Sequence, residues 1–368
     1  MSRIGNLGHR LYAGEVSYDF VERRKRWYAI SAIILLLAVG ALLFRGLNFG
    51  IEFRGGADFS LPNATCSVED ARTTAEEATG AQVIVTETAS GTVRVQTEEL
   101  TAAASSQVAG TLAEACGIPK GEVKVQVVGP TWGEEISKKA LQGLVIFLLL
   151  VTIFLSIYFE WRMALSALVA LAHDLVITVG IYSLTGLEVT PATVIGLLTI
   201  LGYSLYDTVV VFDKVKENTR GVTGQSIMTY SESANLAVNQ TLVRSINTSV
   251  VALLPVLAII IVGAGLLGAG TLLDLAVVLA IGMAAGTYSS IFIATPFLVD
   301  LKERQPEMKA LKARVLARRK QGRSAAGAAV GTESASDDDA GVEADASIGR
   351  RTESGPRQQP RRKPRSKR

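Results

Sequence analysis

Gly202-Tyr203-Ser204-Leu205-Tyr206-Asp207-Thr208-Val209-Val210-Val211-Phe212 closes an apolar stretch that opens at Pro191 and is long enough to cross a bilayer. An ionisable side chain at lipid depth costs on the order of a few kcal/mol unless it is paired or faces a polar cavity. Asp207 is therefore a functional signal by default, and it decides how the rest of the chain is read.

Working outward, segments 27–46, 140–159, 164–184, 245–265 and 272–299 join 191–212 as stretches of span length. Of the 368 residues, 49% are hydrophobic and 19% charged, which suits neither an ordinary soluble protein nor a bare bundle. The formal net charge of +3 is unevenly placed, with Arg23-Arg24-Lys25-Arg26 before the first span and Arg361-Arg362-Lys363-Pro364-Arg365-Ser366-Lys367-Arg368 at the end. The first apolar run follows a polar leader of 26 residues and lacks an Ala-x-Ala site, so it is expected to stay as an uncleaved span.

Lysine and arginine near the span ends set the orientation. Arg23 to Arg26 place segment 1–26 on the cytoplasmic side, and six spans return the 300–368 tail to that side. Arg162 and the 213–243 loop with Lys214, Lys216 and Arg220, next to Arg244, then also lie inside, while 185–190 and 266–271 carry no Lys or Arg. Lys138 and Lys139 violate the pattern, and an amphipathic lead-in from Trp132 would accommodate them by snorkelling.

Segment 47–139 holds the one sizeable extramembrane domain. It reads as strand, helix, strand, strand, helix, strand: Asn48–Phe53, a helix after Ser67-Val68-Glu69-Asp70, Val83–Glu87, Thr92–Gln96 across Ala89-Ser90-Gly91, a helix from Thr97-Glu98-Glu99 to Ala115, and Val123–Val127. The βαββαβ order matches a ferredoxin-like split arrangement. The expected fold class is a polytopic α-helical membrane protein of six transmembrane helices, with a small α+β extracytoplasmic domain between the first and second. Cys66 and Cys116 both fall in this domain. In this arrangement the two helices are expected to run roughly parallel, so the cysteines lie near opposite ends of elements about 20 Å long and two unpaired thiols are expected. Ile51-Glu52-Phe53-Arg54-Gly55-Gly56 reads either as a strand-ending turn or as a contact surface.

Beyond Gln305 the sequence turns to Ala, Ser, Gly, Asp and Arg, and only a short basic helix near 307–320 is expected before a disordered remainder. Weak attraction to anionic membrane lipids is favoured over a specific nucleic-acid site.

Inside the bundle, Asp207 falls about 16 residues into its span, roughly the inner third of the core. Arg244 opens the next span at a compatible depth, with Asn247 and Thr248 on the same stripe. Burial favours the neutral form of a carboxyl and a nearby guanidinium favours its anion, so an Asp207–Arg244 pair is suited to binding and releasing protons. His173, Asp174 and Tyr203 are candidate supporting groups, and Asp274 reads as a structural group reaching the interface. No P-loop, Ser-His-Asp set, Cys-x-x-Cys or metal-ligand cluster is readable, so hydrolysis and a metal cofactor are not expected.

Several of these stretches together resemble the SecD–SecF family of bacterial protein-export membrane proteins, within the resistance–nodulation–division superfamily. Residues 202–213 with Lys214-Val215-Lys216-Glu217-Asn218 are similar to the fourth-span motif of its smaller, SecF-type subunits. Asn239 to Ser249 are similar to the start of their fifth span. Phe159-Glu160-Trp161-Arg162 with Ala172-His173-Asp174 resembles the second and third spans, and Gly286-Thr287-Tyr288-Ser289-Ser290-Ile291 the sixth. Glu52 departs from the family's usual Asp, Tyr206 from Asn, and Lys214 and Lys216 from Arg.

The resemblance implies a half-unit that pairs with SecD into a twelve-span assembly acting beside the SecYEG channel, the SecA motor and YajC on exported unfolded preproteins. It also implies that Asp207 and Arg244 belong to a proton pathway, with protons as the coupling ion, that moves the outer domains. A small-molecule efflux unit is disfavoured by the single small outer domain, whereas a purely structural subunit stays open.

Overall fold

The computed structural model describes residue 10 and residues 16–87, 91–262 and 270–333. Among the described residues, six helices are long and apolar enough to cross a membrane. The first is α1 (Arg24–Phe44). The chain then forms β1 (Asn48–Phe49), α2 (Ile51–Arg54), β2 (Gly56–Leu61), α3 (Val68–Thr79), β3 (Ile84–Glu87), β4 (Val93–Thr97), α4 (Ala102–Ala115) and β5 (Lys124–Val128). It re-enters the bundle as α5 (Pro130–Tyr158) and α6 (Trp161–Thr185), and after β6 (Glu188–Val189) as α7 (Pro191–Asn218) and α8 (Tyr230–Val262). The last span is α9 (Gly270–Ser289), a π turn (Ser290–Ala294) and α10 (Thr295–Glu303), with α11 (Pro306–Glu333) beyond it.

Capping residues fix several boundaries. Ser67 and Asp70 form a reciprocal capping box on α3. Thr190 and Thr193 do the same on α7, where Pro191 supplies the first-turn residue that has no N–H to orphan. Pro296 removes a backbone donor just after the π turn, a place where a helix readily takes an extra residue.

The extramembrane domain is a four-stranded antiparallel sheet of order β3-β4-β2-β5, with α3 and α4 in the two crossovers. The βαββαβ succession is the expected one, but its first strand is not at 48–53. Asn48 and Phe49 instead pair in parallel with Glu188 and Val189 of the bundle, Ile51 to Arg54 form a helical turn, and the sheet begins at Gly56. The second helix also starts later than expected: Thr97 ends β4 and Thr101 caps α4. The 88–90 turn lies outside the described residues.

The expectation of two free thiols is overturned: Cys66 and Cys116 form a disulfide, with Cα atoms 4.5 Å apart. The central strands β2 and β4 are antiparallel, so the helices returning from them are antiparallel too. That brings the start of α3 to the end of α4, where Thr65 also donates its backbone N–H and its hydroxyl to the Cys116 carbonyl. Phe59, Leu61, Val93, Val95 and Leu112 fill the core beneath them.

The bundle core is packed at its far end, away from the α/β domain, by residues such as Leu155, Phe159, Phe212, Ala237 and Leu298. The stretch before α1 is fastened there by two asparagines of α8: Asn235 Oδ1 accepts from the Phe20 and Val21 amides, and Asn239 Oδ1 from that of Tyr18. Arg24 pairs with Asp300 at 2.7 Å, and Lys302 with Glu160. Helix α11 buries Met308, Leu311 and Val315 and runs to Glu333, past the expected end near 320. The expected disorder at 334–368, and residues 266–269 of the loop expected at 266–271 between the fifth and sixth spans, lie outside the described residues, while Gly270 already opens α9.

Candidate functional site

Helices α7 and α9 approach closely because α9 presents Gly282 and Gly286 one turn apart. A Cβ at Gly286 would lie 2.9 Å from the Ser204 Cβ, and one at Gly282 would lie 2.3 Å from the Ile200 Cδ1. This contact brings the polar residues of α6, α7, α8 and the last span into one buried network.

Asp207 lies at its centre and is 5% exposed. Its Oδ1 accepts from Ser245 Oγ of α8 at 2.6 Å, and its Oδ2 accepts from Ser290 Oγ of the π turn. Asp174 of α6 is 1% exposed. Its Oδ2 accepts from Ser204 Oγ at 2.5 Å and from Ser289 Oγ at 2.8 Å, and its Oδ1 lies 3.3 Å from His173 Nδ1. His173 stacks on Tyr288, whose hydroxyl shares a hydrogen bond with Ser31 of α1 at 3.0 Å. Each buried carboxylate is thus caged by serine hydroxyls.

Two expectations are corrected. Among the described residues no ion pair joins Asp207 to Arg244. Successive helical residues point about 100° apart, so with Ser245 facing Asp207, Arg244 is turned away. Its side chain lines an open cleft of about 470 Å³ with Tyr158, Asp213, Lys214, Glu217 and Gln240. The supporting stripe is likewise turned outward: Asn247 is exposed and Thr248 donates to the Arg244 carbonyl of its own helix. Tyr203 shares the face of Asp207 but donates to Ser249 at 3.3 Å. Asp274 is half-buried in α9, and its backbone carbonyl accepts from Tyr182.

A second polar cluster joins the α/β domain to the loop between α6 and α7. Arg94 of β4 donates to Asp58 of β2 at 2.5 Å and to Glu188 of β6 at 2.9 Å, while Gln96 donates to the same two residues at 3.1 and 2.7 Å. Glu52 of α2 borders this cluster, with Oε1 3.4 Å from Gln126 Nε2 and Oε2 buried without a partner. Burial above all pushes its carboxyl above the usual range, with the charges of Glu188 and Asp58 adding to the effect. Gly55 and Gly56 have φ of 77° and 141°, and a Cβ at Gly56 would sit 2.4 Å from the Thr97 carbonyl. The motif is therefore both a turn and a close contact.

Residues 109–304 match the family model for the C-terminal region of the protein export membrane proteins SecD and SecF, and residues 40–57 match the SecD/SecF GG motif. The chain belongs to the SecD/SecF family. It is 56% identical over 323 residues to the protein translocase subunit SecF of Streptomyces coelicolor, covering 88% of this chain and 87% of that one. It is 46% identical over 349 residues to the SecF subunit of Mycobacterium tuberculosis, covering 90% and 78%. The crystal structure of SecDF from Thermus thermophilus, a translocon-associated membrane protein, superposes with a TM-score of 0.69 at 29% identity. That match covers 82% of this chain and 40% of the SecDF chain.

Family membership assigns the chain to protein export as a multi-pass membrane protein. Within the SecF frame, sequence reasoning located Asp207 and Asp174 but missed the residues that hold them: Ser204, Ser245, Ser289 and Ser290. Single serines in apolar helices are common, and which face each occupies depends on packing. The π turn that aims Ser289 and Ser290 at different carboxylates has no counterpart in helical periodicity.

Proposed function

We propose that this SecF-family chain is a proton-coupled half-unit that associates with SecD and uses the proton motive force in late steps of export. The observation that carries the reading is Asp207, buried in the bundle and held by Ser245 and Ser290 rather than by a cation. A permanent ion pair would fix its charge, whereas a hydroxyl cage accepts either protonation state because hydroxyls both donate and accept. Arg244, in an open cleft, is free to approach a carboxylate during the cycle.

The association with SecD is supported by the architecture of relatives. A SecDF chain of Thermus thermophilus, 32% identical to this one over 42% of its own length, carries a comparable region within a longer polypeptide. In this reading both termini of the chain are cytoplasmic, the membrane is the bacterial cytoplasmic membrane, and the α/β domain is outside. Protons pass inward while the outer domains act on preproteins leaving SecYEG, beside SecA and YajC.

The test is export in energised membrane vesicles. Asp207→Asn is expected to insert normally and co-purify with SecD but to lose the proton-dependent part of export, and Arg244→Met to behave alike. Unchanged export by Asp207→Asn would leave the chain as a structural subunit.

A further inference from the structure

The bundle buries a second carboxylate more deeply than Asp207, and its surroundings are those of a group built to change protonation. Asp174 accepts two hydroxyls at one oxygen, Oδ2, at 2.5 and 2.8 Å. Among the described residues its sole cationic candidate is His173, whose side chain is 4% exposed and whose Nε2 has no partner. A buried carboxylate without a fixed cation is costly as an anion, and a buried imidazole with one bare nitrogen is a ready proton donor or acceptor. Buried polar atoms are rarely left unpaired, which makes the bare Nε2 informative.

The last span ties the two carboxylates together. Ser289 donates to Asp174 and Ser290 to Asp207. Each serine also has a second acceptor within reach: the Gly286 carbonyl at 3.2 Å for Ser289 and the Thr287 carbonyl at 3.1 Å for Ser290. When a carboxyl takes up a proton it becomes a donor at that oxygen. The serine can then accept that proton in a hydrogen bond and turn its own hydroxyl to the helix carbonyl, so no group is stranded. Ser204, one turn before Asp207 on α7, provides a further link to Asp174.

We propose that Asp174, with His173, is a second proton-holding group of this chain, coupled to Asp207 through the adjacent hydroxyls of Ser289 and Ser290 at the junction of α9 and the π turn. The proposal rests on the proton-coupled reading of Asp207 and deepens it: the chain stores two exchangeable protons, and the π turn senses both. Ser289 and Ser290 are positioning residues. Among the described residues the titratable groups facing this network are Asp174 and His173 on α6, Tyr203 and Asp207 on α7 and Tyr288 on α9, Tyr203 through its bond to Ser249. Span α1 contributes only the Ser31 hydroxyl at this level, its Arg24 and Tyr28 being engaged with Asp300. Arg244 of α8 lies in the outer cleft.

Infrared difference spectroscopy of the full chain in lipid nanodiscs, titrated with pH, reads the carbonyl band of protonated carboxyls directly. In a chain carrying Glu52→Gln, which removes the band of the raised Glu52 carboxyl, one band each is expected from Asp174 and Asp207, identified by its loss in the matching variant. Asp174→Asn should remove one, and Asp207→Asn should remove the other while displacing the midpoint of the first by about one pH unit, the size at which two sites titrate as a pair. Ser289→Ala should shift the Asp174 band, with Ser289→Thr restoring it, and exposed Thr199→Ala should shift neither. Retention of both bands in Asp174→Asn, or an unmoved Asp174 midpoint in Asp207→Asn, overturns the proposal. If Asp174→Asn does not insert, an unmoved Asp174 band in Ser289→Ala overturns it instead. Normal vesicle export by Asp207→Asn alongside two coupled bands would support the proton-holding pair and remove only the export role.

Discussion

Ser289 and Ser290 are consecutive residues that serve different carboxylates, Ser289 donating to Asp174 at 2.8 Å and Ser290 to Asp207. Both acids are therefore held by one point on the last span, at the junction where α9 gives way to the π turn. A disturbance at either acid reaches the same turn of helix.

The cage around Asp207 makes Ser245 a stability residue and leaves Arg244 free of that role. Removing one partner of a buried hydrogen bond costs about 1–3 kcal/mol, so Ser245→Ala is expected to lower the unfolding free energy by that amount. Arg244→Met, in the open cleft, should stay within about 0.5 kcal/mol of the unmodified chain. Thermal unfolding in detergent followed by tryptophan fluorescence measures both. Equal destabilisation by the two would return Arg244 to the side of Asp207.

The glycines of the bundle divide by what surrounds them. Gly282→Ala drives a methyl into Ile200, and Gly286→Ala meets Ser204 at 2.9 Å, each at a cost of about 1–3 kcal/mol for overpacking. Gly202, also helical, has nothing within 4 Å of its Cβ position, so Gly202→Ala should be neutral or stabilising by up to about 1 kcal/mol. Expression and melting of the three variants give the order. A Gly202→Ala chain less stable than Gly286→Ala would contradict the α7–α9 packing.

Much of this architecture was legible because lipid imposes a length and a composition on every span, and those survive in one dimension. Asp207 and Asp174 stood out for the same reason, as charges where apolar residues belong. Partners were harder to read. Depth matched Arg244 to Asp207, but depth leaves the angle around the helix axis undetermined, and one residue's step put Ser245 in that place. In the α/β domain the order of elements was readable, yet the direction of the second helix depends on whether the central strands run parallel or antiparallel. That one topological sign decided the fate of Cys66 and Cys116.

The disulfide closes a separation of 50 residues across the α/β domain, and closing a loop of that size stabilises by about 4 kcal/mol in the chain-entropy view. Cys66→Ser is expected to lower the stability of this domain by an amount of that order without disturbing the spans. Mass spectrometry of the intact chain should show a gain of two hydrogens on reduction. Hydrogen exchange should then show faster exchange in α3 and α4 and unchanged exchange in α6 and α7. An unreduced mass already matching two thiols would contradict the bond.

Glu52 gives the junction between the two parts of the chain a pH dependence with a definite sign. Its carboxyl is held above the ordinary carboxylate range by burial first, and then by the charges of Glu188 and Asp58. Below the ordinary carboxylate pKa, folded and unfolded chains are both protonated at this site and it adds no pH dependence. Between that value and the raised one, the folded chain keeps a proton the unfolded chain has lost, so stability falls as pH rises through this window. Above it the loss is complete and constant. Glu52→Gln abolishes the window, so the variant should match the unmodified chain in acid and exceed it in stability at neutral pH. Urea unfolding of the α/β domain across the acid-to-neutral range measures the difference. A variant less stable at neutral pH than in acid, relative to the unmodified chain, would mean that Glu52 is held as an anion, with the backbone hydrogen bond and the Arg94 charge outweighing burial.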